Sequence, residues 1–191
     1  MNYLSIKYLY REFKWVLLFK KLKNIEFLIL DVDGVLTDGG LWYSNTGDIS
    51  KRFDVKDGLG INLIQELGIE IVLISGGEGA STEKRASQLG IENCFFDVKD
   101  KYQKLKDFQK DKDIPIAKCA YVGDDINDIV VRPLVSLLFS PFNASESLKS
   151  ISDFRLQNAG GYGAVRELAE RILKAKGLWR SYSRNGWVKR I

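Results

Sequence analysis

Acidic or hydroxyl side chains stand at the end of three short apolar segments of this sequence. The residues that follow those segments are Asp31, Asp33, Ser75, Asp124 and Asp125. Short, continuous apolar segments are typical of strands buried in a parallel sheet, and ligands bind beyond the carboxyl ends of such strands. The spacing therefore predicts that these side chains meet at one edge of a sheet. Lys101, which begins a helix after another predicted strand, is expected at the same edge.

Carboxylates that converge beside a lysine favour a hard cation with oxygen ligands, such as Mg2+. Without a cation, their like charges raise one another's pKa or destabilise the fold. The arrangement suits hydrolysis of a phosphate ester. Asp31 would attack phosphorus, and Asp33 would protonate the leaving oxygen and then activate water. Ser75, Gly76 and Lys101 would hold the phosphate oxygens as negative charge spreads over them.

The composition excludes several other chemistries. The 191 residues include no histidine, so neither a Ser-His-Asp triad nor a metal site with imidazole ligands can form. Cys94 and Cys119 are too few for a disulfide framework or a four-thiolate metal site, and they fit a reducing cytoplasm. A hydrophobic content of 45% with only three prolines predicts a folded chain rather than a disordered one.

The two ends of the chain are basic and the middle is acidic. Residues 1–24 hold six basic residues and one acid, and residues 174–191 hold six basic residues and no acid. Because the whole chain carries +4, the residues between these ends carry a net −7. Nucleic acid is therefore not an expected partner, since phosphate backbones favour clustered lysine and arginine.

This charge division predicts three regions. They are a basic, amphipathic N-terminal extension at 1–24, a catalytic domain at 25–173 and a basic, aromatic C-terminal tail at 174–191. The extension has the composition of a helix that can lie on a membrane surface, but packing on the body of the protein or on a neighbouring subunit is favoured. Its longest apolar run, 15–19, is too short for a signal peptide or a membrane span.

Strand-like and helix-like segments alternate through the central region. Strands are predicted at 27–30, 69–74, 94–96, 120–122 and 135–139. Helices are predicted at 57–67, 82–89, 100–111 and 164–174. This alternation predicts an α/β fold with a Rossmann-like, mostly parallel sheet and helices on both faces. A β-hairpin from 41–43 and 49–53 follows the first strand, and the intervals between the motifs leave no room for a cap domain.

Four motifs resemble those of the haloacid dehalogenase phosphatase superfamily. They are the segment 31–38 (DVDGVLTD), Ser75, Lys101 and the segment 123–128 (GDDIND). Three segments resemble, more narrowly, the 3-deoxy-D-manno-octulosonate 8-phosphate phosphatase family and its sialic-acid-type relatives. These segments are 33–39 (DGVLTDG), 53–58 (FDVKDG) and 160–167 (GGYGAVRE). The resemblance extends roughly over residues 25–173.

The resemblance implies a Mg2+-dependent phosphatase that acts on a phosphorylated sugar acid, with 3-deoxy-D-manno-octulosonate 8-phosphate as the expected substrate. It implies that Asp31 is the nucleophile and that Asp33 is the general acid and base. The implied Mg2+ ligands are Asp31, the backbone carbonyl of Asp33, and Asp124, and Asp128 is expected to support them. No role is assigned to Asp125.

The sequence departs from the family pattern after Ser75. Relatives often place arginine or another polar residue that faces the substrate after the serine and a glycine, whereas this chain has Gly77 followed by Glu78. Loss of a planar cation weakens recognition of a sugar carboxylate unless another cation replaces it. The candidates are Lys51, Arg52 and Lys56. The departure leaves the phosphatases of acylneuraminate 9-phosphate and related nonulosonates as an alternative.

Capless relatives cover their open site by forming a tetramer, so the resemblance also implies a homotetramer with Trp42 and Tyr43 at or near the interface. Two functions from other classes compete with the phosphatase. One is a phosphorylation-responsive signalling module, which normally carries its phosphorylated aspartate after the third strand rather than the first. The other is a catalytically silent scaffold whose basic ends bind membrane or RNA, and the intact acidic motifs disfavour it.

Overall fold

The computed structural model describes residues 3–77 and 79–188; residues 1–2, Glu78 and residues 189–191 lie outside the described residues. The strands are β1 (Phe27–Leu30), β2 (Trp42–Tyr43), β3 (Ile49–Ser50), β4 (Glu70–Ile74), β5 (Asn93–Phe95), β6 (Cys119–Val122), β7 (Leu137–Ser140) and β8 (Phe154–Arg155). The α-helices are α1 (Tyr3–Lys23), α2 (Val55–Gln65), α3 (Ala80–Gln88), α4 (Lys101–Asp111), α5 (Glu146–Ile151), α6 (Ala164–Ala175) and α7 (Trp179–Asn185).

Six strands form one sheet in the order β5-β4-β1-β6-β7-β8, and every pair of neighbours in it is parallel. The central strand, β1, pairs with β4 on one side and with β6 on the other. Its residues Leu28, Ile29 and Leu30 are buried because both faces of the sheet are covered by helices. The predicted α/β fold with a Rossmann-like parallel sheet is confirmed.

Two apolar clusters lie on opposite faces of the sheet. One cluster joins the sheet to α1, α2, α3 and α6, and the other joins it to α4, α5 and a 3₁₀ helix at Ile126–Leu134. α1 contributes Trp15 and Leu22, which are almost completely buried, and Glu12 of α1 forms an ion pair with Arg171 of α6. No helix in the described part of the chain is both long and apolar enough to cross a membrane.

The hairpin is shorter than predicted. β2 and β3 pair over two residues each, whereas the alternating pattern predicts strands at 41–43 and 49–53. The second strand ends early because the chain returns to the body of the domain, where Phe53 forms an isolated antiparallel bridge with Thr37. The hairpin therefore lies next to the loop that carries Asp33.

Four elements are not predicted from the sequence pattern. They are β8, α5, α7 and the 3₁₀ helix at Ile126–Leu134. Local capping bonds begin two of them: Ser145 accepts from the amide of Leu148, and Asp125 begins the 3₁₀ helix in a capping box with Asp128. This cap is the structural role of Asp125.

Candidate active site

The carboxyl ends of β1, β4 and β6 border an open cavity of about 300 Å3. The lining residues are Asp31, Asp33, Gly34, Gly39, Ser75, Gly76, Gly77, Asp124, Asp125 and Asn127. The sheet order explains the convergence, since β1 lies between β4 and β6 and all three run in the same direction. The structure thus brings together the five residues that follow the predicted strands.

A tight loop after β1 shapes one wall of this cavity. The amides of Leu36 and Thr37 both donate to the carbonyl of Val32 and turn the chain back. Gly34 has a φ of +79°, and a Cβ there would overlap the carboxylate of Asp124. Glycine is required for this backbone conformation and for the close approach of Asp124 to the loop.

A buried network of charged groups forms the floor of the site. Lys101, whose side chain is 3% exposed, places its Nζ 2.9 Å from Asp31 Oδ1 and 2.7 Å from Asp128 Oδ1. The hydroxyl of Tyr121 donates to the same Asp128 oxygen at 2.6 Å, and the amide of Asp124 donates to Asp128 Oδ2 at 2.9 Å. Asp128 therefore holds Lys101, Tyr121 and the backbone of Asp124 in place.

The acidic groups outnumber the one lysine among them. Burial, together with the charge of Asp128, raises the pKa of Asp31 from its ordinary 3.8 to about 8. Burial and the charges of Asp128 and Asp125 raise the pKa of Asp124 to about 6. Burial by itself would lower the pKa of Lys101, but the neighbouring carboxylates raise it above its ordinary value. The site thus carries more negative charge than its own lysine compensates.

The same carboxylates are arranged to share a cation. One oxygen from each of Asp31, Asp124 and Asp128 lies within 4.8 Å of the other two. An all-oxygen set with excess negative charge suits Mg2+. Because both oxygens of Asp128 already accept hydrogen bonds, Asp31 and Asp124 are the better placed of the three to bind a cation directly.

Asp33 lines the same cavity but is not part of the network around Lys101. Its Oδ2 lies 2.8 Å from Nζ of Lys51, whose side chain is only 2% exposed, and its Oδ1 accepts from the hydroxyl of Thr37 at 3.3 Å. Both oxygens are therefore held. Lys51 directly follows the hairpin strand β3, so the hairpin contributes to the position of Asp33.

The loop after β4 carries small polar groups. Ser75 is buried, and its Oγ accepts from the amide of Gly77 at 3.1 Å. α3 begins only at Ala80, so this loop is separate from the first turn of that helix. A Cβ at Gly77 would lie 3.0 Å from Oδ2 of Asp33. Gly77 thus allows this loop to approach the carboxylate of Asp33 closely.

The other two substrate candidates lie away from the floor of the cavity. Arg52 donates to the carbonyl of Gly161 at 2.6 Å and stacks over the ring of Tyr162, with its guanidinium carbon 4.2 Å from the centroid. The side chain of Arg52 is 44% exposed. Lys56 is exposed in the first turn of α2. Among the described residues, neither lines the cavity.

Three residues of the site cannot be assigned a role from the sequence. Tyr121 belongs to a continuous apolar strand. The pattern alone does not distinguish a tyrosine whose hydroxyl serves the site from an aromatic residue that only fills the core. Thr37 and Asn127 belong to the segments 31–38 and 123–128. The bond from Thr37 to Asp33 and the place of Asn127 in the cavity wall depend on how these two loops fold. A polar group within a buried strand beside a motif is the one available indication, since buried hydroxyls need partners.

Comparison with known proteins places this arrangement in a family. No protein-family model matches the sequence. The 3-deoxy-D-manno-octulosonate 8-phosphate phosphatase of Haemophilus influenzae is 37% identical over 158 residues, which cover 83% of this chain and 88% of the relative. That of Escherichia coli K12 is 38% identical over 157 residues, which cover 82% and 84%.

Solved structures agree with the curated relatives. The phosphatase of the same name from Moraxella catarrhalis, in complex with magnesium, phosphate and KDO, has a TM-score of 0.85 and 34% identity and covers 89% of this chain and 98% of its own. A haloacid dehalogenase superfamily hydrolase of subfamily III A from Legionella pneumophila has a TM-score of 0.85 and 35% identity, covering 90% and 94%. The chain belongs to the 3-deoxy-D-manno-octulosonate 8-phosphate phosphatase family of the haloacid dehalogenase superfamily.

Proposed function

We propose that the protein is a Mg2+-dependent phosphatase that hydrolyses 3-deoxy-D-manno-octulosonate 8-phosphate to the free sugar acid and phosphate. The observation that carries the proposal is the buried Asp31–Lys101–Asp128 network beside Asp124, which fits a cation and a phosphate. The proposed substrate is that of the similar phosphatases from Haemophilus influenzae and Escherichia coli.

In this mechanism Asp31 is the nucleophile. Its carboxylate attacks phosphorus, a bond forms between an Asp31 oxygen and phosphorus, and the ester bond to the sugar oxygen breaks. Mg2+ bound by Asp31, the carbonyl of Asp33, and Asp124 would keep Asp31 ionised and balance the charge of the phosphate. Lys101 supplies a positive charge to the non-bridging oxygens, together with Ser75 and the backbone at Gly76.

Asp33 transfers the protons. It gives a proton to the sugar oxygen as the ester bond breaks, and it then takes a proton from the water that attacks the aspartyl phosphate. Lys51 and Thr37 hold the two oxygens of its carboxylate, so that Asp33 faces the reacting groups in both half-reactions. Phosphate then leaves and Asp31 is regenerated.

The sugar carboxylate needs a cation that is not already buried in an ion pair. Lys51 is buried in its ion pair with Asp33. The side chain of Arg52 is 44% exposed, and its guanidinium nitrogens lie 4.0 Å from an Asp38 oxygen and 3.8 Å from an Asp54 oxygen, beyond hydrogen-bond distance. Arg52 therefore recognises the carboxylate in this proposal, with Lys56 further out. A planar guanidinium suits this task because it can donate two parallel hydrogen bonds.

The assembly and location belong to the same proposal. The enzyme is a cytoplasmic homotetramer in which residues 25–173 form the catalytic domain, with 1–24 and 174–191 as basic extensions. Exposed apolar residues on the hairpin support the tetramer: Leu41 is 46% exposed, Trp42 is 69% exposed and Tyr43 is 67% exposed. A neighbour that packs on the hairpin would also cover the open cavity.

Phosphate release from purified protein tests the function. The substrates are 3-deoxy-D-manno-octulosonate 8-phosphate, N-acetylneuraminate 9-phosphate and p-nitrophenyl phosphate, each with Mg2+ and after chelation. We expect the eight-carbon substrate to give the highest kcat/KM, and we expect chelation to stop turnover reversibly. A preference for the nine-carbon substrate would replace the proposed substrate, and hydrolysis by metal-free protein would contradict the mechanism.

An Asp31→Asn variant tests the nucleophile. The reaction requires a carboxylate at this position, so we expect kcat to fall by at least roughly a thousandfold. The fold should persist, because Lys101 keeps its bond to Asp128. Asp111→Asn, at an exposed position at the end of α4, is the matched control and should retain full activity.

A further inference from the structure

α1 is apolar on two opposite faces. One face packs on the body of the protein: Trp15 is 3% exposed and Leu22 is 1% exposed. The ion pair between Glu12 and Arg171, whose guanidinium also stacks over Trp15 at 4.8 Å, holds this face against α6. The orientation of the helix on the domain is therefore set by contacts within the chain.

The second face is open to solvent. Leu9, Phe13 and Val16 are separated by steps of four and three residues, and Leu17 lies four residues after Phe13. The four side chains therefore form one stripe along the helix. Their exposed fractions are 53%, 58%, 65% and 63%. We define these four residues as the outer stripe. Four large apolar side chains in one row are more than the scattered apolar residues of an ordinary surface.

Basic residues surround the end of the outer stripe. Lys20 continues it by one further step, and Lys21 and Lys23 complete the last turn of α1. Lys176, which directly follows α6, donates to the carbonyl of Lys23 at 3.0 Å and brings the basic C-terminal end of α6 to the same place. Glu12 is the only acid among residues 1–24, and it is paired with Arg171.

We propose that the outer stripe and its lysines bind the surface of an anionic lipid bilayer, with α1 lying in the plane of the interface. An apolar stripe bordered by basic side chains is the pattern that inserts between acyl chains while its charges contact lipid headgroups. The acidic middle of the chain is repelled by the same surface, which orients the protein with its basic ends toward the bilayer.

Charge favours a bilayer over a second copy of this chain as the occupant of the stripe. A two-fold interface places the same patch of both copies face to face. In such a pair the lysines of one α1 would meet either the lysines or the N-terminal half of the other α1. Neither offers an acid to neutralise them, since Glu12 is already engaged. An anionic surface neutralises those lysines instead.

Co-sedimentation with vesicles tests the proposal. The full-length protein is mixed with vesicles of phosphatidylcholine alone and with vesicles that contain phosphatidylglycerol in roughly equal parts, at low and at high salt. We expect binding to the anionic vesicles at low salt, little binding to the neutral ones, and release by salt. Protein that stays in the supernatant under every condition would overturn the proposal.

Substitutions separate the two components of binding. Phe13→Gln with Leu17→Gln keeps the charge and helix propensity, and we expect it to lower the vesicle partition coefficient by about tenfold or more. Lys20→Gln with Lys23→Gln should lower it by about fivefold per lysine on anionic vesicles. The matched control is Ile116→Gln with Val130→Gln, at apolar positions that are 47% and 46% exposed.

Phosphatase activity and light scattering complete the experiment. Since the outer stripe lies apart from the residues that line the cavity, the glutamine variants should retain wild-type turnover of soluble substrate. Equal binding by the wild type and the Phe13/Leu17 variant would contradict the proposal. So would a wild type that ignores vesicles while the Phe13/Leu17 variant loses its oligomeric state, because a second copy would then cover the stripe.

Discussion

Asp57 connects two helices that lie far apart in the sequence. It is in the first turn of α2 and is 1% exposed, yet its two oxygens accept from the amide of Arg166 at 2.8 Å and from the amide of Gly163 at 3.2 Å. These amides are at the start of α6. The N-cap residue of that helix is Gly163, which has no side chain that could accept a hydrogen bond. Asp57 thus caps α6 from another helix.

The buried position of Asp57 predicts a pH-dependent contribution to stability. Burial raises its pKa from 3.8 to about 6, against the backbone amides that lower it. The folded state therefore binds this proton more tightly than the unfolded state. The resulting stabilisation is complete below the unfolded pKa and is lost as the pH rises through about 6.

An Asp57→Asn variant isolates this effect, because other titrating groups cancel in the difference from the wild type. We expect the free energy of unfolding of the wild type, relative to the variant, to fall by about 1 kcal/mol between about pH 5 and about pH 7.5. Urea denaturation of both proteins at the two pH values measures it. A difference that does not change with pH would show that Asp57 titrates normally.

Residues of the site differ in how far the sequence can predict them. The positions of Asp31 and Asp124 follow from parallel strands, because side chains that follow such strands must meet at one edge. The pairing of Lys51 with Asp33 could not be predicted, since it depends on how the hairpin folds back on the domain. The cap that Asp57 provides joins residues more than a hundred positions apart, and no local pattern records it.

At the scale of elements, the glycine-rich loop before α6 lies directly on the catalytic loop. The amide of Gly161 donates to the carbonyl of Val35 at 3.0 Å, and the amide of Gly160 donates to Asn143 Oδ1 at 2.9 Å. A Cβ at Gly160 would overlap the carbonyl oxygen of Gly34. The loop therefore supports the backbone that carries Asp33, and close packing of two backbones is the reason for glycine here.

A Gly160→Ala variant tests this packing. The added methyl group must push the loop away from Gly34, so we expect stability to fall by about 1–3 kcal/mol and kcat to fall with it. Thermal denaturation and phosphate release measure the two effects. Gly40→Ala is the matched control, because a Cβ there meets no backbone atom within 4 Å, only the side chains of Asp38 at 3.1 Å and Trp42 at 4.0 Å. Wild-type values for Gly160→Ala would refute the supporting role.

Elements with a clear apolar pattern could be predicted, whether long or short, and elements that depend on capping could not. The helix predicted at 164–174 is α6, which differs by one residue at its end, because its apolar side chains recur at helical spacing over three turns. The strand predicted at 135–139 begins two residues later, at Leu137, since the preceding 3₁₀ helix ends at Leu134 and leaves a short connection. That 3₁₀ helix depends on capping by Asp125 rather than on a period.

At the scale of the whole molecule, the hairpin has few stabilising contacts within its own chain. β2 and β3 have two residues each, and a two-stranded hairpin of this size is marginally stable by itself. Trp42 and Tyr43 are nevertheless two-thirds exposed. The same hairpin delivers Lys51 to Asp33, so its stability bears on catalysis.

These features make the proposed tetramer testable through activity. Burial of Trp42 and Tyr43 against a neighbour would remove a large apolar area from water and fix the hairpin at the same time. We therefore expect Trp42→Gln with Tyr43→Gln to convert the tetramer into smaller species. Light scattering measures the mass against 21.7 kDa for one chain.

The activity of the same variant should fall in parallel, because a loosened hairpin no longer holds Lys51 against Asp33. Wild-type enzyme should likewise lose specific activity when it is diluted below the concentration at which it dissociates. Phe142→Gln, at a position that is 65% exposed but away from the hairpin, is the control and should change neither property. If the wild type is a fully active monomer, the hairpin is not an interface, and Lys51 is held against Asp33 by contacts within its own chain.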